Sequence, residues 1–479
     1  MWYVVIQSAA IVARSSHILS CQHSCGQPRR KSGESMSPFR ISASDGTDDV
    51  PVQLCPVGDA ASSGSSGMGL VEDERRGARA RRKGFGLFAA CLLISGACGD
   101  DETDIDALEP YASVPELETD TFTSAAVCGA CHQAIHACWQ QSMHSRAFRN
   151  NVFQAAYRTA TETYSAERAG MCLNCHAPTV RETQDYAAQT AMTHEGVTCD
   201  FCHSLRGADL DAPDKGIDLD VGRTKYGPLK RAQSPAHKVK HSDLHRGSEL
   251  CAVCHEYRNE HGVAILETYS EWKASLYAEE GTQCQDCHMQ PVEGRIVALG
   301  LTDAAREGVN LHDISGSHDL ERVREAVEMK ILSVERVSDK KVLARIAVNN
   351  VGSGHCFPTG LPKHRAVLEV GLTDRGRLVK QHTIEFAKVL LNDEMIPITL
   401  EEEMFLESRS IRNDTRLKPK ERRIVPVTFH DIEGPVDQIE ASLSYDYSMR
   451  VLKSENGREV IEPTQMNFLI ASQKRTVPR

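Results

Sequence analysis

The chain of 479 residues has a formal net charge of −11, 17 cysteines and only 5% aromatic residues. An acidic chain repels nucleic acid, so the charge excludes a nucleic-acid-binding protein. The cysteine count fits neither a small disulfide-stapled domain nor ordinary cytosolic usage, and the length predicts two or three segments.

The first hundred residues have the composition of a targeting region. Basic residues at 79–83 precede the apolar run Phe85–Ala97, which Cys98 follows. This order is typical of a secretory signal, and the run is shorter than the ~20 residues of a membrane span. A buried helix of a cytosolic domain is the alternative. We therefore predict an upstream extension or disordered segment at 1–67, a signal peptide at 68–98 and an acidic linker at 99–122.

The end of the signal segment resembles the bacterial lipoprotein box, in which the cysteine is lipidated. Ser95-Gly-Ala precedes Cys98, and Cys91 is a second candidate. The prediction is an exported protein, either periplasmic or anchored to a membrane of the bacterial cell envelope as a lipoprotein. A plain soluble periplasmic protein is the alternative.

Five CxxCH motifs follow, and each is typical of covalent haem attachment. The two thiols add across the haem vinyl groups, and the adjacent histidine reaches the iron as its proximal ligand. The motifs are Cys128-Gly-Ala-Cys131-His132, Cys172-Leu-Asn-Cys175-His176, Cys199-Asp-Phe-Cys202-His203, Cys251-Ala-Val-Cys254-His255 and Cys284-Gln-Asp-Cys287-His288.

The cofactor prediction is five haem c groups in a domain at 123–319. Zinc is the alternative, because paired CxxC units can form four-cysteine sites, but zinc does not need a histidine after every second cysteine. Five motifs within residues 128–288 leave little room for an apolar core, so the porphyrins themselves are expected to fill it. Short helices are predicted at 134–149 and 268–280, with polar loops between them.

Several other histidines are candidates for the second axial ligand of each iron. His144 is the first choice, twelve residues after His132 on a predicted helix, whereas His136 is interpreted as a surface residue. His237, His241 and His245 share one face if they lie on a helix, and His237 is favoured among them. The full set of distal candidates is His144, His194, His237, His312, His318 and His355; Met143, Met171 and Met289 are weaker alternatives.

From about residue 320 the alternation of apolar and polar residues predicts strands, for example at 342–348, 366–372, 424–429 and 439–445. An antiparallel β-sandwich-like domain is expected at 320–479. The fold class is thus α + β multidomain, a mostly helical and loop multihaem cytochrome c domain followed by an all-β domain.

The glycine-rich turn at 349–360 joins two of these strands. Either it projects His355 into the haem domain as a ligand, or His355 bonds only to its own turn; Cys356 is interpreted as a small buried residue.

The motifs as a whole resemble the cytochrome c-554 type of multihaem cytochromes over roughly 125–365. The resemblance rests on the first motif with Trp139-x-x-Ser142-x-His144, on Glu195-Gly-Val-Thr before the third motif, and on Glu271-Trp-Lys-Ala-Ser275 before the fifth. The turn ending in His355-Cys-Phe-Pro-Thr-Gly is similar to one in larger relatives. The resemblance implies periplasmic electron transfer, mostly bis-histidine haems with one five-coordinate haem in some members, and His144 as a distal ligand. Five motifs rather than four, and the added β-domain, depart from that pattern.

Three functions compete at this point. The first is an electron carrier between a donor and an acceptor protein, which are redox partners of unknown identity. The second is a multihaem oxidoreductase acting on hydroxylamine, nitrite or a similar small nitrogen or sulfur species at one open haem, which needs acid–base groups beside the iron. No sequence motif identifies such acid–base groups, so no catalytic residue is predicted. The third is an interaction protein that docks through the β-domain. The acidic net charge favours a partner with a basic patch.

Overall fold

The structure is a computed structural model that describes Leu117 and residues 119–294, 306–455, 458–464 and 466–479. These residues belong to one compact unit that includes Pro115–Arg479. The predicted extension, the signal segment with Cys91 and Cys98, and most of the linker lie outside the described residues. None of the described helices is long and apolar enough to cross a membrane.

Short helices dominate the part of the chain that carries the cysteine motifs. They are α1 (Ala125–Cys131), α2 (Gln133–Gln141), α3 (Asn151–Thr163), α4 (Ala166–Gly170), α5 (Leu173–His176), α6 (Val180–Thr183), α7 (Cys199–Ser204), α8 (Glu249–His255), α9 (Thr268–Lys273), α10 (Leu276–Glu279) and α11 (Cys284–His288). The longest described helix, α3, begins where the Asn150 side chain accepts the backbone N–H groups of Val152 and Phe153, which would otherwise be unpaired. The predicted helix at 134–149 ends early, so His144 lies in the turns that follow α2.

Small two-stranded sheets link these helices. Their strands are β1 (Leu205–Gly207), β2 (Asp218–Leu219), β3 (Thr224–Gly227), β4 (Lys238–His241), β5 (Tyr257–Arg258), β6 (Ala264–Leu266), β7 (Pro291–Gly294) and β8 (Arg306–Asn310). The pairs are β1–β2, β5–β6 and β7–β8, all antiparallel, and β3–β4, which is parallel. Short 3₁₀ turns cover Thr193–Glu195, Pro213–Gly216 and Asp243–Arg246.

The helix considered for His237, His241 and His245 is wrong. His241 lies on β4, whose backbone pairs with β3, and His245 lies in the 3₁₀ turn that follows. The four-residue spacing therefore does not place the three side chains on one face.

The C-terminal part is built of longer strands. Its elements are α12 (Leu320–Ala326), β9 (Val327–Ser338), β10 (Lys341–Asn350), β11 (Arg365–Asp374), β12 (Arg377–Phe386), β13 (Lys388–Leu391), α13 (Glu401–Leu406), β14 (Ser410–Asp414), β15 (Arg422–Phe429), β16 (Gln438–Asp446), β17 (Met449–Glu455), β18 (Arg458–Thr464) and β19 (Asn467–Thr476). One antiparallel sheet has the order β15-β10-β9 and a second has the order β12-β11-β16-β19. β13–β14 and β17–β18 form separate hairpins.

The two larger sheets share one apolar core. Val342 lies opposite Phe429 in the first sheet and Leu368 lies opposite Leu443 in the second, and all four are fully buried. Alternate residues of these strands face inward because successive side chains of a strand point to opposite faces. The predicted α + β fold class, with a β-sandwich after the helical part, is confirmed.

Apolar packing is unequal in the two parts. The described cluster between the sheets holds 26 buried residues, whereas the clusters around Leu173 and around Trp272, in the motif-bearing part, hold four and three. The motif-bearing helices therefore enclose little protein core of their own, as five motifs in so short a stretch predicted.

Candidate haem-iron centres

Each motif lies on a short helix or at its end. The histidine is the last residue of α5, α8 and α11, lies within α7, and directly follows α1. The spacing i, i+3, i+4 places the two sulfurs and the imidazole on one side of a helical turn. A covalently attached porphyrin needs this arrangement, with two thioethers and one iron ligand on the same side.

Backbone carbonyls orient three motif imidazoles. His176, His203 and His288 donate through Nδ1 to the carbonyl oxygens of Ala147, Tyr226 and Ser315 at 3.0, 2.6 and 2.6 Å. Each hydrogen bond leaves Nε2 as the nitrogen free to bind a metal. Burial lowers the pKa of His176 and His288 to about 4, which favours the neutral imidazole that metals bind.

Four motif histidines face a second histidine. Two imidazoles bound through Nε2 at ~2 Å on opposite sides of one metal place their ring centroids roughly 6 Å apart. The pairs are His132 with His237 at 6.4 Å, His255 with His144 at 6.2 Å, His203 with His312 at 6.2 Å and His288 with His355 at 6.3 Å. The spacing fits one iron within each pair.

His203 has two histidine neighbours, and their hydrogen bonds distinguish them. The ring of His245 lies 5.7 Å away, but its Nε2 donates to the carbonyl oxygen of Cys202 at 2.9 Å. His312 donates through Nδ1 to the carbonyl oxygen of Asn310 at 3.1 Å, so its Nε2 is available. Nδ1 of His245 has no described partner, but His245 lies closer to His203 than the 6.2–6.4 Å of the other three pairs. His312 matches that spacing and is therefore the neighbour better suited to bind an iron opposite His203.

Two predicted distal candidates have other partners. His194 donates through Nε2 to the carbonyl oxygen of Ala188 at 2.9 Å, and its ring packs 4.8 Å from Phe148. The ring of His318 packs edge-on against Tyr447, with centroids 5.5 Å apart. The described contacts bring neither of them to a motif histidine.

The motif histidine of α5 has an aromatic neighbour instead. Phe153 stacks on the ring of His176 with centroids 3.9 Å apart and planes inclined by 11°. Sequence reasoning missed this contact. A signal was present in the spacing of Phe153 and Tyr157, because residues four apart share a helix face. The two rings stack on α3 with centroids 5.5 Å apart.

The motif sulfurs show which motifs are neighbours. Side-chain hydrogen bonds link Cys128 to Cys199, Cys175 to Cys254, and Cys251 to Cys284. The first motif therefore adjoins the third, and the fourth adjoins both the second and the fifth. In the haem-loaded chain these thiols would be thioethers, so the contacts stand for neighbouring attachment points.

The glycine-rich turn holds His355 in place. The carbonyl oxygen of His355 accepts hydrogen bonds from the Asn350 side chain at 2.9 Å and from the Ser353 hydroxyl at 2.7 Å. A methyl group at Gly352 would overlap the carbonyl oxygen of Glu325, so the close approach there requires glycine. His355 also donates through Nδ1 to the carbonyl oxygen of Cys356 at 3.0 Å, which leaves Nε2 on the side of the ring away from the turn.

A buried carboxylate ties this turn to the motif-bearing helices. Oε2 of Glu271, on α9, accepts the N–H of Cys356 at 3.1 Å and the hydroxyl of Thr359 at 2.7 Å. Nη1 of Arg416 lies 2.7 Å from Oε1 of Glu271, an ion-pair contact without hydrogen-bond geometry. Nε and Nη2 of Arg416 donate to the two carboxylate oxygens of Asp414 at 2.9 and 2.6 Å. Sequence reasoning missed Arg416, because a partner so distant along the chain leaves no local pattern.

Residues 127–204, which contain the first three motifs, match the family model of cytochrome c554 and c-prime. This stretch is shorter than the resemblance that the motifs suggested. The fold is similar to the crystal structure of a penta-heme cytochrome c552 from Thermochromatium tepidum, with a TM-score of 0.57, 19% sequence identity, and coverage of 74% of this chain and 99% of that chain. No curated protein sequence matches the chain significantly. The family match over residues 127–204 and the shared fold make this chain similar to the multihaem cytochromes of the c-554 type.

Proposed function

We propose that this chain carries five covalently attached haems and passes electrons among them. The ten motif cysteines would hold the haems, and His132, His176, His203, His255 and His288 would be the proximal ligands. The observation that carries the proposal is the set of four histidine pairs at 6.2–6.4 Å, each joining a motif histidine to one from elsewhere in the chain.

The proposed distal ligands are His237 for the first motif, His312 for the third, His144 for the fourth and His355 for the fifth. When bound, haem supplies an iron that changes between the ferric and ferrous states. Backbone carbonyl oxygens fix the imidazoles of His176, His203 and His288 through Nδ1, and burial lowers their pKa, which favours the neutral form. Electrons can pass between motifs because the sulfur contacts place their attachment points side by side.

The site at His176 does not favour the oxidoreductase hypothesis. The ring of Phe153 stacks on His176 and the carbonyl oxygen of Ala147 accepts its Nδ1–H, and neither of these two groups exchanges a proton near neutral pH. An electron carrier needs no such group, whereas conversion of hydroxylamine or nitrite does.

We further propose that the protein works outside the cytoplasm, in the periplasm or anchored to a membrane there. This proposal rests on the signal-like segment at 68–98 and on Cys98 as the lipidation site. Covalent attachment of haem on the exported side agrees with it.

The test is intact-mass spectrometry of the exported protein, produced from the full-length sequence. A Cys251→Ser/Cys254→Ser variant is the matched control. We expect the mass of five haems in the wild type and four in the variant, with a mature N-terminus at Cys98. Four haems in the wild type, or zinc in place of haem, would overturn the proposal. Ferric EPR on the same sample should show four low-spin bis-histidine haems.

A further inference from the structure

The segment at 221–242, which contains β3 and β4, has a charge opposite to that of the chain as a whole. Residues 221–242 contain six Lys and Arg and no Asp or Glu, whereas the rest of 99–479 contains 38 Lys and Arg and 58 Asp and Glu. Lys230, Arg231 and Lys238 are exposed, and the Lys240 side chain is 59% exposed. Residues 228–240, which carry these four cations, are called the basic loop below.

The basic loop lies beside one histidine pair. It contains His237, whose ring faces His132, and Lys238 is the next residue. Residues of the loop, including His237, Lys238 and Lys240, line an open cleft of about 590 Å³. Lys238 and Lys240 therefore border the centre at the first motif, and Lys230 and Arg231 lie earlier on the same loop.

One cation of the same segment already has a structural role. Lys225 is buried and contacts Asp200 at 2.5 Å, so it neutralises a carboxylate of the third motif's helix. Lys240 lies 4.0 Å from Asp220 and is only weakly paired. The outward-facing charge is thus carried mainly by Lys230, Arg231 and Lys238.

We propose that the basic loop is the docking surface for an acidic redox protein, which exchanges electrons with the chain at the first motif. The inference rests on the proposed electron-transfer function. A local positive surface on an otherwise negative molecule attracts an acidic partner and orients it, and such steering raises association rates by about 10- to 1000-fold at low ionic strength. The acidic net charge of the whole chain favours a basic partner. The surface beside the first motif is positively charged, however, and therefore fits an acidic partner.

The experiment compares two triple charge reversals in the full-length, haem-loaded protein. The test variant is Lys230→Glu/Arg231→Glu/Lys238→Glu, and the control is Lys340→Glu/Arg345→Glu/Arg377→Glu, which reverses three exposed cations of the β-sandwich. Fully reduced protein is mixed in a stopped-flow instrument with oxidised plastocyanin, an acidic copper protein, or with mitochondrial cytochrome c, a basic one. Ionic strength is varied from low to high.

We expect the test variant to react with plastocyanin at least ~10-fold more slowly at low ionic strength and to lose most of the salt dependence. The control should stay within about 2-fold of the wild type, and oxidation by cytochrome c should not slow in either variant. Equal slowing by both triples would overturn the proposal, because net charge alone would then govern the rate.

Two other outcomes would also overturn it. If the test variant shifts the haem spectrum or reduction potential while plastocyanin reacts at the wild-type rate, the cations bind haem propionates. If it loses only binding to vesicles of phosphatidylcholine with phosphatidylglycerol, the loop faces a membrane. Failure of the electron-transfer proposal itself would appear differently, as reduced haems that neither plastocyanin nor cytochrome c oxidises at any ionic strength.

Discussion

Removal of the Glu271 carboxylate should release His355 from its position opposite His288. Glu271→Ala deletes the acceptor of two hydrogen bonds from the turn, and hydrogen bonds to a charged group contribute about 1.5–3 kcal/mol each. It also leaves Arg416, whose side chain is 5% exposed, with Asp414 as its main partner, and breaking a buried pair costs about 3–5 kcal/mol.

The structural effect should concentrate on the turn at 349–360. A loss of about 3 kcal/mol in the docking of this turn is roughly a 100-fold shift toward an undocked state. Because His355 is the proposed ligand opposite His288, we expect a high-spin, CO-binding haem in the variant. Glu271→Gln keeps an acceptor oxygen and should show a smaller change.

The assay is ferric EPR with CO titration of the reduced protein, with Glu256→Ala as the control. Glu256 accepts two hydrogen bonds from Ser270, so its loss loosens the same helix, α9, without touching the turn. If Glu271→Ala keeps the full low-spin signal, the turn does not depend on this carboxylate. An equal high-spin signal in Glu256→Ala would mean that the stability of α9 matters instead.

Two further predictions follow from single contacts. His312→Ala should give one high-spin haem in ferric EPR while His245→Ala should not, because only His312 has Nε2 available; the opposite pattern would reverse the assignment. Burial alone would raise the pKa of Asp185, but hydrogen bonds from Thr193 and from Gln189 hold it well below its usual range. The resulting stability is complete above the unfolded pKa of ~4 and is lost as pH falls toward the folded pKa. Because solvent screens this largely exposed carboxylate, Asp185→Asn should lower stability by only about 1 kcal/mol at pH 7, measured by thermal unfolding. A deficit that persists unchanged below about pH 3 would contradict this.

The sequence predicted best what depends on neighbouring residues. CxxCH places its three functional groups on one helical turn, and the alternation at 342–348 and 439–445 identifies strands that are buried on one face. Both signals are local, and the strands lie where the alternation indicated.

The partners of the motif histidines could not be predicted in the same way. His237 faces His132 across about a hundred residues, and no periodicity links them. The four-residue spacing from His237 to His245 suggested a helix, but pairing with β3 makes the segment extended. Nε2 of His245 donates a hydrogen bond to the carbonyl oxygen of Cys202. Only the folded chain brings these two groups together, so the sequence does not show that this nitrogen has a partner.

The β-sandwich contributes to the haem-binding part as well as following it in the chain. It supplies the turn that carries His355 and the guanidinium that pairs with Glu271. Its β17–β18 hairpin reaches α3, where Glu459 contacts Arg158 at 2.8 Å. The same helix presents Phe153 to His176. An exposed ion pair contributes little stability, but the buried Glu271 contacts contribute more. A module that only docked a partner would need none of these contacts, so the sandwich is better understood as one wall of the haem-binding region.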